Sequence, residues 1–113
     1  MLFHIAAIAD WAPEDATYAP ADFANDGYVH CSTYEQVARV VNGRFAGRTD
    51  LLLLRIDPKR VAAPVRYENL NGGTELFPHI YGPIETFAVV GVDRLFPGAD
   101  GRVVVPYVGP PLC

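Results

Sequence analysis

The sequence predicts an α+β fold with a mixed β core of about six short strands and with helices near the N-terminal half. Two observations support this fold class. Short apolar segments bounded by Gly, Pro, Asn or Asp recur along the whole 113-residue chain, whereas helical spacing of apolar residues occurs only in the first half. Strands and helices therefore do not alternate regularly, as a doubly wound parallel sheet would require.

The first predicted elements lie before residue 32. Residues 2–6 form a strand, and Asp10 caps a short helix that carries Pro13 in its first turn, where a missing N–H costs nothing. The turn at residues 25–27 ends this region, because Asn-Asp-Gly favours a reversal of the chain. Residues 28–31 leave the turn as a second strand.

The second helix is predicted to begin at Ser32, which is a preferred N-cap residue. Glu35 follows three residues later and completes the pattern of a capping box. The apolar residues at helical spacing are Val37, Val40 and Val41. A glycine at position 43 or 47 can end this helix.

The second half of the chain is predicted to contain strands and loops. Residues 51–56 are almost wholly apolar and favour a central strand that is covered on both faces. Further strands are predicted at 65–68, 86–93 and 102–105, with a loop at 71–73 and an irregular or only briefly extended segment at 75–83.

Composition limits the classes of protein to which the chain can belong. Residues 1–113 suit a single domain, and the 50% hydrophobic and 19% charged content indicates a globular core. A net charge of -4 argues against binding to nucleic acid or to an anionic membrane. The start has no basic region typical of a signal peptide, and Cys31 and Cys113 form no disulfide framework, so a cytoplasmic location is expected.

The three histidines are the strongest candidates for chemistry. Side chains alternate between the two faces of a strand, so His30 shares a face with Tyr28 and Ser32, while Val29 and Cys31 point to the core. His79 and Tyr81 share a face by the same argument. We therefore expect His4, His30 and His79 to gather around one cleft.

The junction between the second strand and the second helix is the predicted site. Free N–H groups at a helix start attract phosphate or carboxylate, and His30 lies beside that start. The alternative is that Ser32 is only a cap and His30 a half-buried structural residue. Glu68, beside Arg66 and Tyr67, is either a site carboxylate or part of a surface ion pair.

Other chemistries lack their usual residue patterns. The histidines are too widely spaced for a compact zinc motif, so no metal is expected. Cys31 lies on the predicted core face, which argues against a Cys–His nucleophile. The segment around Ser32 lacks the second glycine of a hydrolase elbow, and Gly72 and Gly73 do not fit a dinucleotide-binding fingerprint.

Three segments resemble the small bacterial family known as domain of unknown function 952. The segments are Gly-Tyr-Val-His-Cys-Ser at 27–32 with Gln36, Tyr-Glu at 67–68, and Phe-Pro-His-Ile-Tyr-Gly-Pro at 77–83. The resemblance extends from His4 to about residue 105. It implies a fold like that of the ADP-ribosyltransferases, with a mixed, split β core and a cleft that holds NAD.

The resemblance also implies roles for individual residues. His4 on the first strand would bind the adenosine ribose, and His30 or Tyr81 would contact nicotinamide or its ribose. Glu68 would hold a ribose hydroxyl and stabilise a cationic transition state, although Glu85 or His79 could take that position. His79 would act as an acid or base.

The resulting hypothesis is a His-lined cleft for NAD or a related nucleotide, with cleavage or transfer at the nicotinamide–ribose bond. Tyr28, Ser32 and Tyr81 would then line the cleft together with His4. The alternative is a ligand-sensing or protein-interaction domain without turnover. In that case exposed aromatics would form a binding patch, and the candidates are Tyr18, Tyr81 and Tyr107.

Overall fold

The computed structural model describes residues 1–106 and confirms the α+β class. The helices are α1 (Phe23–Asp26) and α2 (Tyr34–Arg44). The strands in the described part of the chain are β1 (Leu2–Ala7), β2 (Thr17–Tyr18), β3 (Val29–His30), β4 (Leu51–Ile56), β5 (Val65–Glu68), β6 (Phe77–Ile80), β7 (Ile84–Glu85) and β8 (Val89–Leu95). Five of the six predicted strands are present, and the additional strands are β2, β6 and β7. No helix within residues 1–106 is long and apolar enough to cross a membrane.

The strands form three antiparallel sheets, with the orders β1-β4-β8, β2-β7 and β3-β6-β5. The predicted central position of the leucine-rich segment is correct, because β4 pairs with β1 on one side and with β8 on the other. Segment 75–83 is more regular than expected, since β6 is the middle strand of its sheet. The carbonyl of Pro78 in this strand accepts a hydrogen bond from the N–H of Cys31.

Two hydrophobic clusters cover the two faces of β1 and β4. On one face Leu51 and Leu53 pack with Val37 and Val41 of α2. On the other face a second cluster packs β1 and β4 against the remaining sheets, and its members include Leu54, Ile56, Val29, Ile80 and Ile84. A strand buried on both faces needs apolar residues at successive positions, and this explains the run of four leucines.

The β1-β4-β8 and β3-β6-β5 sheets separate where β1 meets β3. Phe3 and Ser32 exchange backbone hydrogen bonds of 2.9 and 2.7 Å in an isolated bridge. On its other edge β1 pairs with β4 over its whole length, and β3 pairs with β6. The opening between β1 and β3 is the base of the cleft described below.

Helix α2 begins one residue later than predicted. Its N-cap is Thr33, because Ser32 is still extended and pairs with Phe3. The residue that completes the cap is Gln36 rather than Glu35, since the Gln36 side chain accepts the Thr33 N–H at 3.0 Å. The helix ends at Arg44.

Two other predicted elements are wrong. Instead of a helix after Asp10, the chain forms a three-residue 3₁₀ turn at Ile8–Asp10. Trp11 follows in extended conformation and packs edge-on against Tyr18, so a tertiary contact outweighs the local helix signal. The strand predicted at 102–105 is reduced to a bridge between Val103 and Pro97, because proline has no N–H with which to continue the ladder.

We expect a Leu54→Ala substitution to lower the free energy of unfolding by about 2–5 kcal/mol. Leu54 is 0% exposed on the central strand, so truncation leaves a cavity. Its cross-strand partner Val92 is 43% exposed and serves as the control, with an expected loss below about 1 kcal/mol for Val92→Ala. Urea denaturation measures both values. Equal losses in the two variants would contradict the placement of the core.

Candidate functional site

One face of the β3-β6-β5 sheet carries polar and aromatic side chains, and the other face packs on the core at Val29 and Ile80. His30, His79 and Arg66 are direct neighbours across the three strands, whereas Val29 and Ile80 at the next positions are fully buried. Residues two positions away share the face of each histidine. This face therefore gathers Tyr28, His30 and Ser32 from around β3, His79 and Tyr81 from around β6, and Arg66 and Glu68 from β5.

The aromatic rings of this face form a compact cluster. Tyr28 stacks on His79 with ring centroids 4.4 Å apart and an interplanar angle of 30°. The Tyr28 ring also lies 4.7 Å from the His30 ring and 5.3 Å from the Tyr81 ring. The two imidazoles are 5.5 Å apart. As strand alternation predicts, Tyr28 therefore shares a face with His30, and His79 shares a face with Tyr81.

Each of these imidazoles is held by a carboxylate through one ring nitrogen. His30 Nε2 lies 2.8 Å from Asp26 Oδ2, and His79 Nδ1 lies 2.9 Å from Glu68 Oε1. A carboxylate accepts only, so the bonded nitrogen carries a proton in each pair. Within residues 1–106 the second nitrogen of each ring has no hydrogen-bond partner. The site thus presents two oriented imidazoles, each with one nitrogen available.

Glu68 is fixed from two sides. Its Oε1 also accepts a hydrogen bond from the Tyr81 hydroxyl, and the Arg66 guanidinium lies over the Tyr81 ring at 5.1 Å. The hydrogen bonds from Tyr81 and His79 lower the pKa of Glu68, so this side chain is a carboxylate at neutral pH. The same bond raises the pKa of Tyr81. Glu68 Oε2 has no partner in the described chain and is available to a ligand hydroxyl.

His4 connects the two sides of the opening between β1 and β3. Its Nδ1 lies 2.6 Å from the His30 carbonyl, to which it donates, and its Nε2 accepts from the Tyr18 hydroxyl at 2.8 Å. Burial lowers the pKa of His4, which agrees with a neutral ring. Both nitrogens are engaged within the protein, and the bond to the His30 carbonyl joins β1 to β3. Binding of a ribose by His4 stays a prediction.

The cluster opens into a cleft of about 720 Å³ that all three histidines line. Ligand sites typically have volumes of about 300–1,000 Å³. From the polar face of the β3-β6-β5 sheet the lining includes Tyr28, His30, Ser32, Glu68 and His79. Tyr81, which was expected to line the cleft, does not, and acts behind Glu68. The lining residues of β1 and α2 are His4, Ile5, Ala7, Val40 and Arg44.

The predicted anion site at the start of α2 is not part of this cleft. Ser32 lines the cleft, but the helix meets it at Val40 and Arg44 rather than at its first turn. At that first turn Gln36 is engaged in hydrogen bonds within the protein. It accepts the Thr33 N–H and donates to the Leu76 carbonyl at 2.8 Å, so it ties the helix start to the segment before β6.

Two further predictions have clear outcomes. Cys31 is buried and its burial raises the pKa of the thiol, in agreement with its place on the core face. Tyr18 is only 3% exposed and packs between Trp11 and His4, so it is not part of an interaction surface. Tyr107 and Cys113 lie outside the described residues.

Asp26 and Arg44 belong to the site but were not candidates in the sequence. The spacing Asp-x-x-x-His from 26 to 30 is the one available signal for Asp26, and it becomes meaningful only once Gly27 reverses the chain with φ of 78°. One carboxylate oxygen each of Asp22 and Asp26 and a nitrogen of His30 lie within 4.8 Å of one another, so these residues could hold a cation. The expectation that no metal is required stays a prediction.

Acid is expected to destabilise the wild-type protein more than a His4→Gln variant. Burial lowers the folded pKa of His4 below its ordinary value of 6.5, so the unfolded chain binds the proton first. The contribution of His4 to stability is therefore complete above pH 6.5 and is lost as the pH falls from there towards the folded pKa. Urea unfolding of both proteins between about pH 7 and pH 5 measures this difference. A difference that stays constant over the range would contradict a neutral buried imidazole.

Known structures and families are similar to this chain over most of its length. A crystal structure of the protein CC0527 from Caulobacter crescentus superposes with a TM-score of 0.79 at 27% identity, covering 91% of this chain and 92% of that one. A solution NMR structure of the same protein gives a TM-score of 0.71 at 28% identity, covering 89% of each chain. A search of the curated proteins finds no match. The sequence matches the family described as "Protein of unknown function (DUF952)" over residues 5–92, and the chain therefore belongs to this family.

Proposed function

We propose that the cleft binds NAD or a related nucleotide and that the chain cleaves or transfers at the nicotinamide–ribose bond. The observation that carries this proposal is the pair of imidazoles 5.5 Å apart, each bonded to a carboxylate through one nitrogen and unpartnered at the other. Such a pair suits proton transfer. The division between β1 and β3 supports the implied likeness to the split core of ADP-ribosyltransferases.

Glu68 stabilises the charge that develops on the ribose. Breaking the bond between ribose C1′ and the nicotinamide nitrogen gives a sugar with oxocarbenium character. The hydrogen bonds from Tyr81 and His79 keep Glu68 ionised, and its free Oε2 accepts a ribose hydroxyl. The carboxylate then strengthens its interaction as positive charge forms, which lowers the barrier.

An imidazole of the pair accepts the proton that the reaction releases. The bonding electrons leave with nicotinamide, which departs as a neutral ring, and a water or acceptor hydroxyl forms the new bond to C1′. Its proton passes to the free Nε2 of His79, because Glu68 holds the Nδ1 proton and stabilises the resulting imidazolium. His30 and Tyr28 contact the nicotinamide or its ribose, and Ser32 lines the same cleft.

The second candidate is ligand binding without turnover. His79 is almost completely buried beneath Tyr28, and its position suits a structural role as well as a catalytic one. A sensing domain would need the same cleft but no chemistry at Glu68. Binding and turnover must therefore be measured separately.

We expect Glu68→Gln to reduce nicotinamide release from NAD by about 10²–10³-fold, because the neutral amide cannot stabilise the cationic transition state. Affinity for NAD should change much less than the rate. Chromatography of released nicotinamide gives the rate, and calorimetry gives the affinity. Glu35→Gln makes the same substitution outside the cleft and should leave both quantities unchanged.

His30→Ala is expected to weaken NAD binding in the same calorimetric titration, since it removes a ring that contacts Tyr28 in the cleft. If neither NAD nor ADP-ribose produces heat with the wild-type protein, the proposal is rejected. Saturable heat without release of nicotinamide would instead support the sensing domain.

A further inference from the structure

Arg39, Arg48, Arg55 and Arg60 form ion pairs within residues 1–106, but Arg44 does not. Within residues 1–106 no carboxylate lies within ion-pair distance of Arg44 and no acceptor bonds to its guanidinium, although Arg44 lines the cleft. Arg48 also lines the cleft, but Asp50 neutralises it through bonds of 2.9 and 2.7 Å. The other ion-paired arginines are Arg39 with Glu75, Arg55 with Asp93 and Arg60 with Asp57.

The cleft carries charges of both signs. The carboxylates that line it are Asp10, Asp22 and Glu68. Arg44 comes from the last turn of α2 and lines the cleft together with Val40 and Phe45. An anionic group would be repelled by the carboxylates and attracted by the Arg44 guanidinium, which has no carboxylate partner within residues 1–106.

Arg44 lines the same cleft as Tyr28, His30 and His79 of the cluster. Burial raises the pKa of Tyr28, as do the charges of Asp26 and Glu68, whereas the charge of Arg44 acts in the opposite direction. Tyr28 stacks directly on His79. The charge of Arg44 is therefore felt at the ring that covers the proposed reaction centre.

We infer that Arg44 binds the phosphate part of the ligand and so fixes its direction in the cleft, with the hydroxyl-bearing sugar at Glu68. The identity of the ligand rests on the proposed function, but the placement of the anion rests on the cleft itself. A guanidinium presents several N–H donors in a plane and can bind two phosphate oxygens at once. Arg44 is thus a specificity-determining residue that selects phosphorylated ligands over uncharged ones.

Inorganic pyrophosphate is the probe, because it contains the anion without the nucleoside. It is titrated into the ¹⁵N-labelled full chain, and binding is followed from backbone chemical shifts. We expect saturable shifts near Tyr28 and the last turn of α2, and an affinity at least about tenfold lower in Arg44→Gln. Arg44→Lys, which keeps the charge but loses the fork of donors, should have an intermediate affinity.

A variant with the same change in net charge serves as the control. Arg102 has an exposed side chain and does not line the cleft. Arg102→Gln should bind pyrophosphate within about twofold of wild type. Equal binding by Arg44→Gln and wild type, or a comparable loss in Arg102→Gln, would overturn the inference, as would the lack of saturable shifts in the wild-type protein.

The same series separates this inference from the proposed function. Loss of pyrophosphate binding in Arg44→Gln, in a protein that does not bind NAD, would support the anion site and reject the nucleotide. Turnover of NAD, together with pyrophosphate binding that does not depend on Arg44, would support the proposed function and reject the anion site at Arg44.

Discussion

The His4 side chain completes the connection between two sheets where their backbones stop pairing. Within residues 1–106 the bridge between Phe3 and Ser32, just after β3, is the one backbone pairing between β1 and this segment, so the next residues leave donors and acceptors that need other partners. His4 binds the His30 carbonyl directly and the Tyr18 hydroxyl on its other side. The His4 ring therefore supplies a partner for the His30 carbonyl where backbone pairing with β1 has stopped.

This arrangement also places the backbone of His30, the first of the two site imidazoles. The cross-strand neighbour of His30 is His79 on β6, and the two rings lie side by side on the same face of the sheet. Carboxylates from a short helix and from β5 then orient the two rings. His30 and His79 are thus each held by a strand and by a side-chain hydrogen bond to a carboxylate, which limits the geometries the imidazoles can adopt.

Much of the fold follows from local patterns, because strand burial and alternation are encoded by neighbouring residues. The central β4, the loop at 71–73 and the core-facing Val29 and Cys31 are of this kind. The cap of α2 and the turn at Ile8–Asp10 were misjudged because they depend on Phe3 and Tyr18, which are distant in sequence. The site residues also divide into those that local pattern identifies and those that depend on contacts between distant segments. Alternation identified His30, His79 and Tyr28 as neighbours of a groove, but only the pairing of β3, β5 and β6 brings Glu68 to His79.

The in-register position of the two imidazoles on adjacent strands has an evolutionary consequence. Neighbouring strands keep a separation of about 4.8 Å whatever the loops between them do. The loop from Asn69 to Leu76 and the turn before β3 can therefore gain or lose residues while the distance between the rings persists. Related proteins could diversify what enters the cleft through these segments and inherit the spacing of the rings unchanged.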